Sequence, residues 1–352
     1  MKILALDMGK SKSVACTYDK ESATHSFQTL STRPQAFHDL MVQTTPDLVV
    51  IETGPLAGWV SELCQRLGMK LLVANTSAEP WLWKKVKRKT DRDDALKLAK
   101  LAALNQIQAV HVPSSAVRQH RELIGQREDL LVSVNGCKCR IRAILDRRAI
   151  AMASGDKAWR QEGRRELLEL CVELAETGLE ELWRGMLKLE LNLLEQLEEH
   201  MKSVEKKLDA IGAQNQGVQV LLSASGVGMR LAEVVVSTLD EPRRFTRGKQ
   251  VGCYAGLTPR QFQSGQMDLQ GHISHAGNGL LRKRLIQVAW LGVWRGGWMK
   301  QVYEQVRRGS DSRKKLAIVA VARRLLVRLW AMLRDGRRWV ERPSSASVAV
   351  KA

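Results

Sequence analysis

A long amphipathic stretch in the middle of the chain places the strongest limit on how the chain can fold. Apolar residues recur there at spacings of three and four, with Glu and Lys between them. They are Leu182, Met186, Leu189, Leu193, Leu197, Met201, Val204, Leu208 and Ile211. This period predicts one amphipathic helix of about 30 residues. The helix either forms a coiled coil that pairs two protomers or packs as a helical hairpin within one chain, because the four-residue steps around Leu197 break a strict heptad.

The first part of the chain alternates segments with strand and helix patterns. KILALDMG and DLVVIETG are short apolar runs that each reach an acidic residue and then a Gly, and MKLLVANT is a third run. KSVACTYD alternates like a hairpin partner of the first run. Helical patterns follow from Gly58 to Leu67, after Thr90 as a predicted N-cap, and from Arg118 to about Ala153. These segments predict an α/β domain with helices on the faces of a central sheet.

The last part of the chain is predicted to be mainly α-helical. SASGVG opens a helix over 229–239, AIVAVARRLLVRLWAML is an apolar helix that carries several Arg, and a loop rich in Gly, Ser, Gln and Pro runs from Thr258 to Gly279. Gly226 and Gly228 suit a helix-hairpin-helix-like turn, in which exposed backbone N–H groups bind a DNA phosphate. A plain helix-initiating turn explains these glycines equally well.

The charge of the chain points to a polyanionic partner. Across 352 residues, 56 Lys and Arg stand against 37 Asp and Glu, which gives a formal charge of +19. The charge is uneven, because residues 151–200 carry 6 basic and 12 acidic side chains whereas the last 102 residues carry 19 basic and 5 acidic. Such blocks indicate separate modules, and the excess of positive charge favours nucleic acid as the partner.

Cysteine usage and hydropathy argue against several other classes of protein. The 6 Cys are scattered and form no CxxC motif, which indicates a reduced cytoplasmic protein without structural zinc. The apolar run in MKILALDMGK is too short for a signal peptide, and no stretch approaches the length of a membrane span. We therefore expect a cytoplasmic protein that does not bind a membrane.

Four carboxylates form the first candidate site. Asp7 and Glu52 each close an apolar strand, and such strand ends meet at the edge of an α/β sheet where ligands bind. Asp91 and Asp94 are three residues apart at a helix start and face the same side, whereas Asp93 points away and serves as a control. Phosphodiester chemistry with Mg²⁺ needs such converging oxygens. The plainer interpretation is that acidic residues in a first helical turn favour the helix dipole and that Asp-x-Gly is an ordinary turn.

The second candidate site is Ser264, in the Gln-Ser-Gly segment of GLTPRQFQSGQ. A serine that attacks phosphate needs exposure and nearby cations, which Arg260 and the cluster Arg282, Lys283 and Arg284 could supply. No His–Asp partner is evident, so a hydrolase triad is unsupported, and a Ser-Gly pair is otherwise a common turn. Further nucleic-acid-binding candidates are the basic residues before the second acidic pair, namely Lys84, Lys85, Lys87, Arg88 and Lys89.

The order of these motifs resembles that of a known family. The chain is similar to the DEDD transposases of bacterial insertion sequences, relatives of the Piv-type DNA invertases, in the succession of Asp7, Glu52, Asp91 and Asp94. The likeness continues through RELIGQREDL, SASGVG, RRFTRGKQVGCYAGLTPR, QSG, GNGLLRKRL and AIVAVARRLL. Nearly the whole chain is covered in order, and the combination is far more specific than any one motif.

The resemblance implies a division into domains. Residues 1–155 would form an RNase H/RuvC-like α/β domain that ends with the Arg-rich helix. Residues 156–215 would be a helical coiled-coil spacer. Residues 216–345 would be a mainly α C-terminal transposase domain that carries the helix-hairpin-helix-like motif and Ser264, and residues 346–352 a tail.

The resemblance also implies a reaction and its partners. The four carboxylates would hold Mg²⁺ or Mn²⁺, and Ser264 would attack a DNA phosphate to give a phosphoserine intermediate before strand exchange. A structured noncoding RNA encoded by the element would pair with donor and target DNA. Two protomers would pair through the coiled coil and assemble further into a tetramer.

Three other functions fit parts of the sequence. A RuvC-like nuclease or junction resolvase would use water and would need no serine. ILALDMGKSKS resembles the first phosphate loop of actin-like kinases, but the second loop, Asp-x-Gly-x-Gly, is missing from the chain. Basic helices alone would also suit a non-catalytic RNA-binding protein.

Overall fold

Two units of different secondary structure make up the chain. The computed structural model describes residues 1–75, 90–264 and 267–340. Internal contacts divide the chain into Met1–Arg118 and Gln119–Ala352. The first unit is mixed α/β and the second is mainly helical, as the sequence predicts. The finer domain boundaries stay a prediction.

The first unit is built on a five-stranded mixed sheet in the order β3-β2-β1-β4-β5. Its strands are β1 (Lys2–Met8), β2 (Lys12–Asp19), β3 (His25–Ser31), β4 (Leu48–Glu52) and β5 (Leu71–Ala74). The pairs β1–β2 and β2–β3 are antiparallel, whereas β1–β4 and β4–β5 are parallel. The turn from β1 to β2 requires Gly9, because a Cβ there would stand 2.5 Å from the carbonyl oxygen of Lys12.

Helices cover both faces of this sheet. They are α1 (Pro34–Thr44), α2 (Ala57–Arg66) and α3 (Asp91–Ala103). Because successive side chains of a strand point to opposite faces, Leu4 and Leu6 of β1 pack with α1 and α2, whereas Ile3 and Ala5 pack with α3. The near-continuous apolar character of β1 in the sequence reflects this burial on both sides.

The second unit begins with an antiparallel pair of long helices. They are α4 (Ser115–Asp146) and α6 (Leu182–Gln214), with the short α5 (Gln161–Glu169) packed beside them. Arg127 of α4 pairs with Glu205 near the end of α6, whereas Arg140 pairs with Glu190 nearer its start. The helical hairpin, one of the two alternatives for the periodic stretch, is therefore present within the chain.

The apolar stripe predicted for α6 is exposed near the start of the helix and buried near its end, where Leu208 is fully buried. Leu187 and Leu194 are fully buried in the core that α6 shares with α4. Each follows a residue of the stripe by one position, so the buried face is turned by about 100° from the stripe. Four residues at the start of the predicted stripe remain 39–53% exposed and are called the α6 stripe below: Leu182, Met186, Leu189 and Leu193.

The rest of the second unit packs around its last helix. The helices are α7 (Gln216–Leu222), α8 (Met229–Leu239), α9 (Gly248–Tyr254), α10 (Gly279–Arg295), α11 (Gly297–Arg307) and α12 (Lys314–Asp335). Helix α12 contributes fully buried residues such as Val321 and Leu325 to the core, and the indole N–H of Trp330 donates to the carbonyl of Pro242 at 2.8 Å. Among the helices that the structure describes, none combines the length and apolar character that a membrane span requires.

One expectation for this unit was wrong. The segment from Thr258 to Gly279 contains a two-stranded antiparallel sheet of β6 (Pro259–Ser264) and β7 (Met267–Ile273), called the serine hairpin below. Gly, Ser, Gln and Pro predicted a loop by composition, but Phe262 and Leu269 face each other across the two strands. The alternation of these residues on either side of a Ser-Gly pair was the signal for a hairpin.

Candidate functional site

Asp7 and Glu52 lie at the ends of neighbouring parallel strands. The pairing register of β1 and β4 makes them the next positions after the last paired residues. Ala5 and Val50, two residues earlier on each strand, pack in the core against α3. Strand alternation therefore turns both carboxylates to the face that α3 covers, and both are half-buried.

Asp94 comes to the same face of the sheet from α3. Its side chain is 7% exposed, whereas Asp91 and Asp93 are exposed. Thr90 is the N-cap, as predicted, and Asp93 completes a capping box by accepting from the Thr90 N–H at 3.2 Å and from its hydroxyl at 2.6 Å. Asp93 therefore caps the start of α3, and it is a suitable control for the two candidate ligands Asp91 and Asp94.

The backbone brings these carboxylates to one face, but their side chains do not form a ready metal cluster. Among the described residues, no three His, Cys, Asp or Glu side chains are gathered closely enough to hold an ion. The basic candidates Lys84, Lys85, Lys87, Arg88 and Lys89 lie outside the described residues.

Ser264 is the last residue of β6, a strand that is exposed along its whole length. Phe262 lies on the same face as Ser264, with Leu269 and Met267 opposite them on β7. These three apolar side chains are 50–56% exposed. The serine hydroxyl is therefore accessible, and it stands on an apolar face that the described part of the second unit does not cover.

Two glycines fix the base of the serine hairpin. Gly256 and Gly277 have φ angles of 66° and 70°, a region that favours glycine. A Cβ on Gly256 would stand 2.2 Å from the carbonyl oxygen of Ala276, and one on Gly277 would stand 2.0 Å from that of Tyr254. The segments that enter and leave the hairpin therefore cross in backbone contact.

Arg282 holds the same crossing from α10. Its guanidinium donates to the carbonyl oxygens of Ala255, at 3.1 Å, and of Ala276 and Gly277. Arg260, at the start of β6, donates to the carbonyl of Ser274 at 3.3 Å. Both arginines were predicted to bind nucleic acid, and in the structure both bind the backbone at the base of the hairpin.

Lys283 and Arg284 form ion pairs with Glu128 of α4. Glu128 is 15% exposed, and its burial opposes ionisation. The hydrogen bond from Lys283 and the charge of Arg284 outweigh that burial and hold the pKa of Glu128 below its usual value. Sequence reasoning missed Glu128, since its partners lie 155 and 156 residues away and no local pattern links them.

The turn with Gly226 and Gly228 joins α7 to α8. Gly226 has a φ of 83°, and no heavy atom lies within 4 Å of the place where a Cβ would stand on either glycine. Val227 between them is 6% exposed and anchors the turn in the core. The outer side of this turn is therefore open space, as contact with a DNA backbone would require.

Models of known families match both units. Residues 4–149 match a transposase model, that of DEDD transposases of the IS110 type. Residues 218–304 match the transposase IS116/IS110/IS902 family. The first match contains the four candidate carboxylates, and the second contains Ser264.

Relatives of the chain are similar over most of its length. It is 30% identical to "Putative transposase y4rJ" of Sinorhizobium fredii over 321 residues, which cover 83% of this chain and 78% of the relative. It is 28% identical to the transposase for insertion sequence element IS1111A of Coxiella burnetii over 253 residues, 70% of this chain and 66% of the relative. Over 126 residues it is 28% identical to the pilin gene-inverting protein of Moraxella bovis, 35% of this chain and 38% of the relative.

An α/β unit with acidic strand ends, a mainly helical unit and these matches together define a DNA transposase or recombinase. The chain belongs to the IS110 family of insertion-sequence transposases.

Proposed function

We propose that the chain recombines insertion-sequence DNA through attack of Ser264 on a DNA phosphate. The observation that carries this proposal is the mounting of Ser264, an exposed hydroxyl at the end of a strand whose base is fixed by Gly256, Gly277 and Arg282. A nucleophile that acts on a large substrate must be both accessible and held in a defined place. The serine hairpin meets both requirements.

In the proposed step, Oγ of Ser264 forms a bond to phosphorus while one bridging P–O bond of the DNA breaks. The serine hydroxyl gives up its proton, and the leaving DNA oxygen takes up a proton and ends as a free hydroxyl. The phosphoserine link replaces one ester by another, so its energy is conserved. Attack by a DNA hydroxyl on that link then joins the exchanged strands and regenerates the serine.

We propose that Asp7, Glu52, Asp91 and Asp94 hold Mg²⁺ or Mn²⁺. Their donor chemistry fits, because hard divalent cations prefer carboxylate oxygens. The strand register and the burial of Asp94 support the assignment, since three of the four side chains come to one face of the sheet. When bound, the cation would stabilise negative charge on the phosphoryl oxygens.

We propose an RNase H/RuvC-like fold for the first unit. The strand order β3-β2-β1-β4-β5 supports it, with an antiparallel meander followed by parallel strands. In this arrangement Asp7 stands on the central strand, where carboxylates from the neighbouring strand and from α3 can reach the same cation.

We propose that a structured noncoding RNA of the element pairs with donor and target DNA. The support is the charge of +19 in a chain without a recognisable base-reading motif. A protein that delegates sequence recognition to base pairing needs contacts with backbone and shape. Gly226 and Gly228, whose outer side is open, are proposed for one such contact.

We propose that the α6 stripe pairs two copies of the chain, as a step towards a tetramer. Its members follow one another at spacings of four, three and four, which is the seam of a coiled coil, and they are 39–53% exposed. Met186→Glu with Leu189→Glu should convert the assembly to monomers in sedimentation, whereas Asn192→Glu on the same helix should not. A wild-type chain that is monomeric at micromolar concentration would refute this pairing.

The reaction is tested with Ser264→Ala in a plasmid recombination assay with the flanking noncoding segment of the element co-expressed. The variant should give no exchanged product and no covalent protein–DNA adduct. Ser203→Ala, an exposed serine on α6, is the matched control and should recombine normally. Undiminished strand cleavage by Ser264→Ala would instead favour a RuvC-like nuclease that uses water.

A further inference from the structure

A groove lined by basic side chains opens beside the base of the serine hairpin, within the second unit. Its volume is about 670 Å³, and residues of α9, β6 and α12 line it. The basic members are Lys249, Arg323, Arg324 and Arg328, and no lining residue is acidic. We call it the α9–α12 groove. None of these four residues is among the nucleic-acid-binding residues that the sequence predicts.

Three of the four cations are available to a ligand. Lys249, Arg323 and Arg324 are exposed, and none of them forms an ion pair with an acidic residue of the described chain. Arg328 is used differently, because its guanidinium lies 3.9 Å from the ring centroid of Trp298. This contrasts with Lys283 and Arg284, whose charge is already paired with Glu128.

The groove has a defined shape because two glycines let α12 approach α9 closely. A Cβ on Gly248 would stand 2.7 Å from Cγ1 of Val327. A Cβ on Gly252, one helical turn later, would stand 3.3 Å from the stem of Arg323. The stem of Arg323 therefore rests on the glycine, and its charged end is directed by that contact.

We infer that the α9–α12 groove binds the phosphate backbone of the DNA strand that Ser264 attacks. Gln261 lines the groove and lies three residues before Ser264 on β6. That separation is about 10 Å along an extended strand. Strand alternation puts Gln261 and Ser264 on opposite faces of the hairpin, so a DNA backbone held by the three cations must pass the edge of β6 to reach the hydroxyl. The claim that the bound DNA strand is the one attacked by Ser264 rests on the proposed function, whereas the binding of DNA in the groove does not.

The groove is tested by fluorescence anisotropy of the full chain with a labelled 30-base-pair DNA duplex of arbitrary sequence. The groove variant is the triple substitution Lys249→Gln/Arg323→Gln/Arg324→Gln. The matched variant removes three exposed cations elsewhere in the second unit and is Lys206→Gln/Lys207→Gln/Lys300→Gln. The groove variant should bind at least about tenfold more weakly, and its slope of log K against log salt should fall by about 2 to 3. The matched variant should change affinity by less than about threefold.

Three results would overturn the inference. They are an unchanged salt slope in the groove variant, an equal loss in the matched variant, and a loss confined to an RNA duplex of the same sequence. The variant Arg323→Lys/Arg324→Lys keeps the charges and should keep the salt slope. It therefore separates a loss of DNA affinity caused by lost charge from one caused by impaired folding. Thermal unfolding of each variant completes that separation.

The test also remains distinct from the test of the serine. Ser264→Ala should bind the duplex like the wild type, so a chain that forms no adduct still reports on the groove. If the adduct does form, the groove variant should need more DNA for half-maximal adduct but reach the same maximal rate. A reduced maximal rate at saturating DNA would count against a binding role.

Discussion

The two candidate catalytic regions are held in place by different means. Asp7 and Glu52 stand at the ends of strands that are buried on both faces, so the core of the first unit sets their backbone positions. Ser264 stands at the end of a hairpin with no core of its own, and two glycines and Arg282 at the base set its position. An isolated two-stranded hairpin is marginal in water, so its base must supply the order that packing supplies in the sheet.

This difference separates stability from activity in the two regions. Substitutions under the sheet should act through folding, whereas substitutions in the hairpin should act on the reaction with little effect on folding. Substitution of the carboxylates themselves is not expected to act through folding, because they lie at the rim of the core and can be changed without opening a cavity.

The largest expected effect separates two adjacent acids of α3. Asp94→Asn should lower recombination at least about 100-fold, because it removes one proposed cation ligand. Asp93→Asn should leave recombination within about threefold and should lower the free energy of unfolding by about 1 kcal/mol, because it weakens the capping box. Recombination assays and denaturant unfolding of both variants check the pair. Equal losses of activity would contradict the assignment.

The next effect concerns the base of the hairpin. Arg282→Lys keeps a positive charge, but the shorter lysine side chain does not extend to the point from which Nη1 of Arg282 contacts all three carbonyl oxygens, so the position of Ser264 should become less defined. We expect about a tenfold lower rate of adduct formation at saturating DNA, with affinity for DNA unchanged within about threefold. If affinity fell while the maximal rate stayed constant, Arg282 would be a phosphate-binding residue, as the sequence first predicts.

Glu128 gives a pH-dependent effect within the second unit. Glu128→Gln should lower the free energy of unfolding at pH 7 by about 1–3 kcal/mol, because Lys283 and Arg284 lose a charged partner. The pKa of Glu128 is lowered in the folded state, so its contribution is present above the unfolded value of about 4.3 and is lost as the pH falls through the folded value. Between about pH 7 and about pH 3, the free energy of unfolding should fall less in Glu128→Gln than in the wild type. Parallel pH curves would contradict this.

The smallest expected effect lies on the exposed face of the hairpin. Phe262 is 55% exposed, so Phe262→Ala should change the free energy of unfolding by less than about 0.5 kcal/mol. Leu6, which is 0% exposed in β1, is the contrasting position, and Leu6→Ala should cost about 2–5 kcal/mol. Denaturant unfolding of the two variants compares the regions directly. A large loss at Phe262 would mean that the hairpin has packing of its own.

Sequence reasoning succeeded where a pattern is local. Periodicity and capping chemistry over a few residues predict Thr90 as N-cap, the strands that carry Asp7 and Glu52 near their ends, and the long helix that contains Leu187. The hairpin around Ser264 was missed because composition was preferred to the alternation of Phe262 and Leu269.

The roles of several cations could not be predicted for a different reason. Arg282 and Arg284 are two residues apart in a basic cluster, yet Arg282 binds backbone carbonyls and Arg284 binds Glu128. Arg284 reaches Glu128 across 156 residues, whereas Arg282 donates to carbonyl oxygens 5 to 27 residues away, and no local pattern in the sequence distinguishes the two roles. The free cations Arg323 and Arg324, in contrast, lie on a helix that the sequence presents as an apolar core element.

The most direct test of the proposed chemistry is to locate the covalent bond. The wild-type chain is allowed to react with a DNA substrate nicked beside the cleavage site, so that the released end diffuses away and the adduct accumulates. Protease digestion and mass spectrometry should place the nucleotide on the peptide that contains Ser264, and none should be found on Ser264→Ala. A nucleotide on another residue, or complete cleavage by the wild type without any adduct, would contradict attack by Ser264.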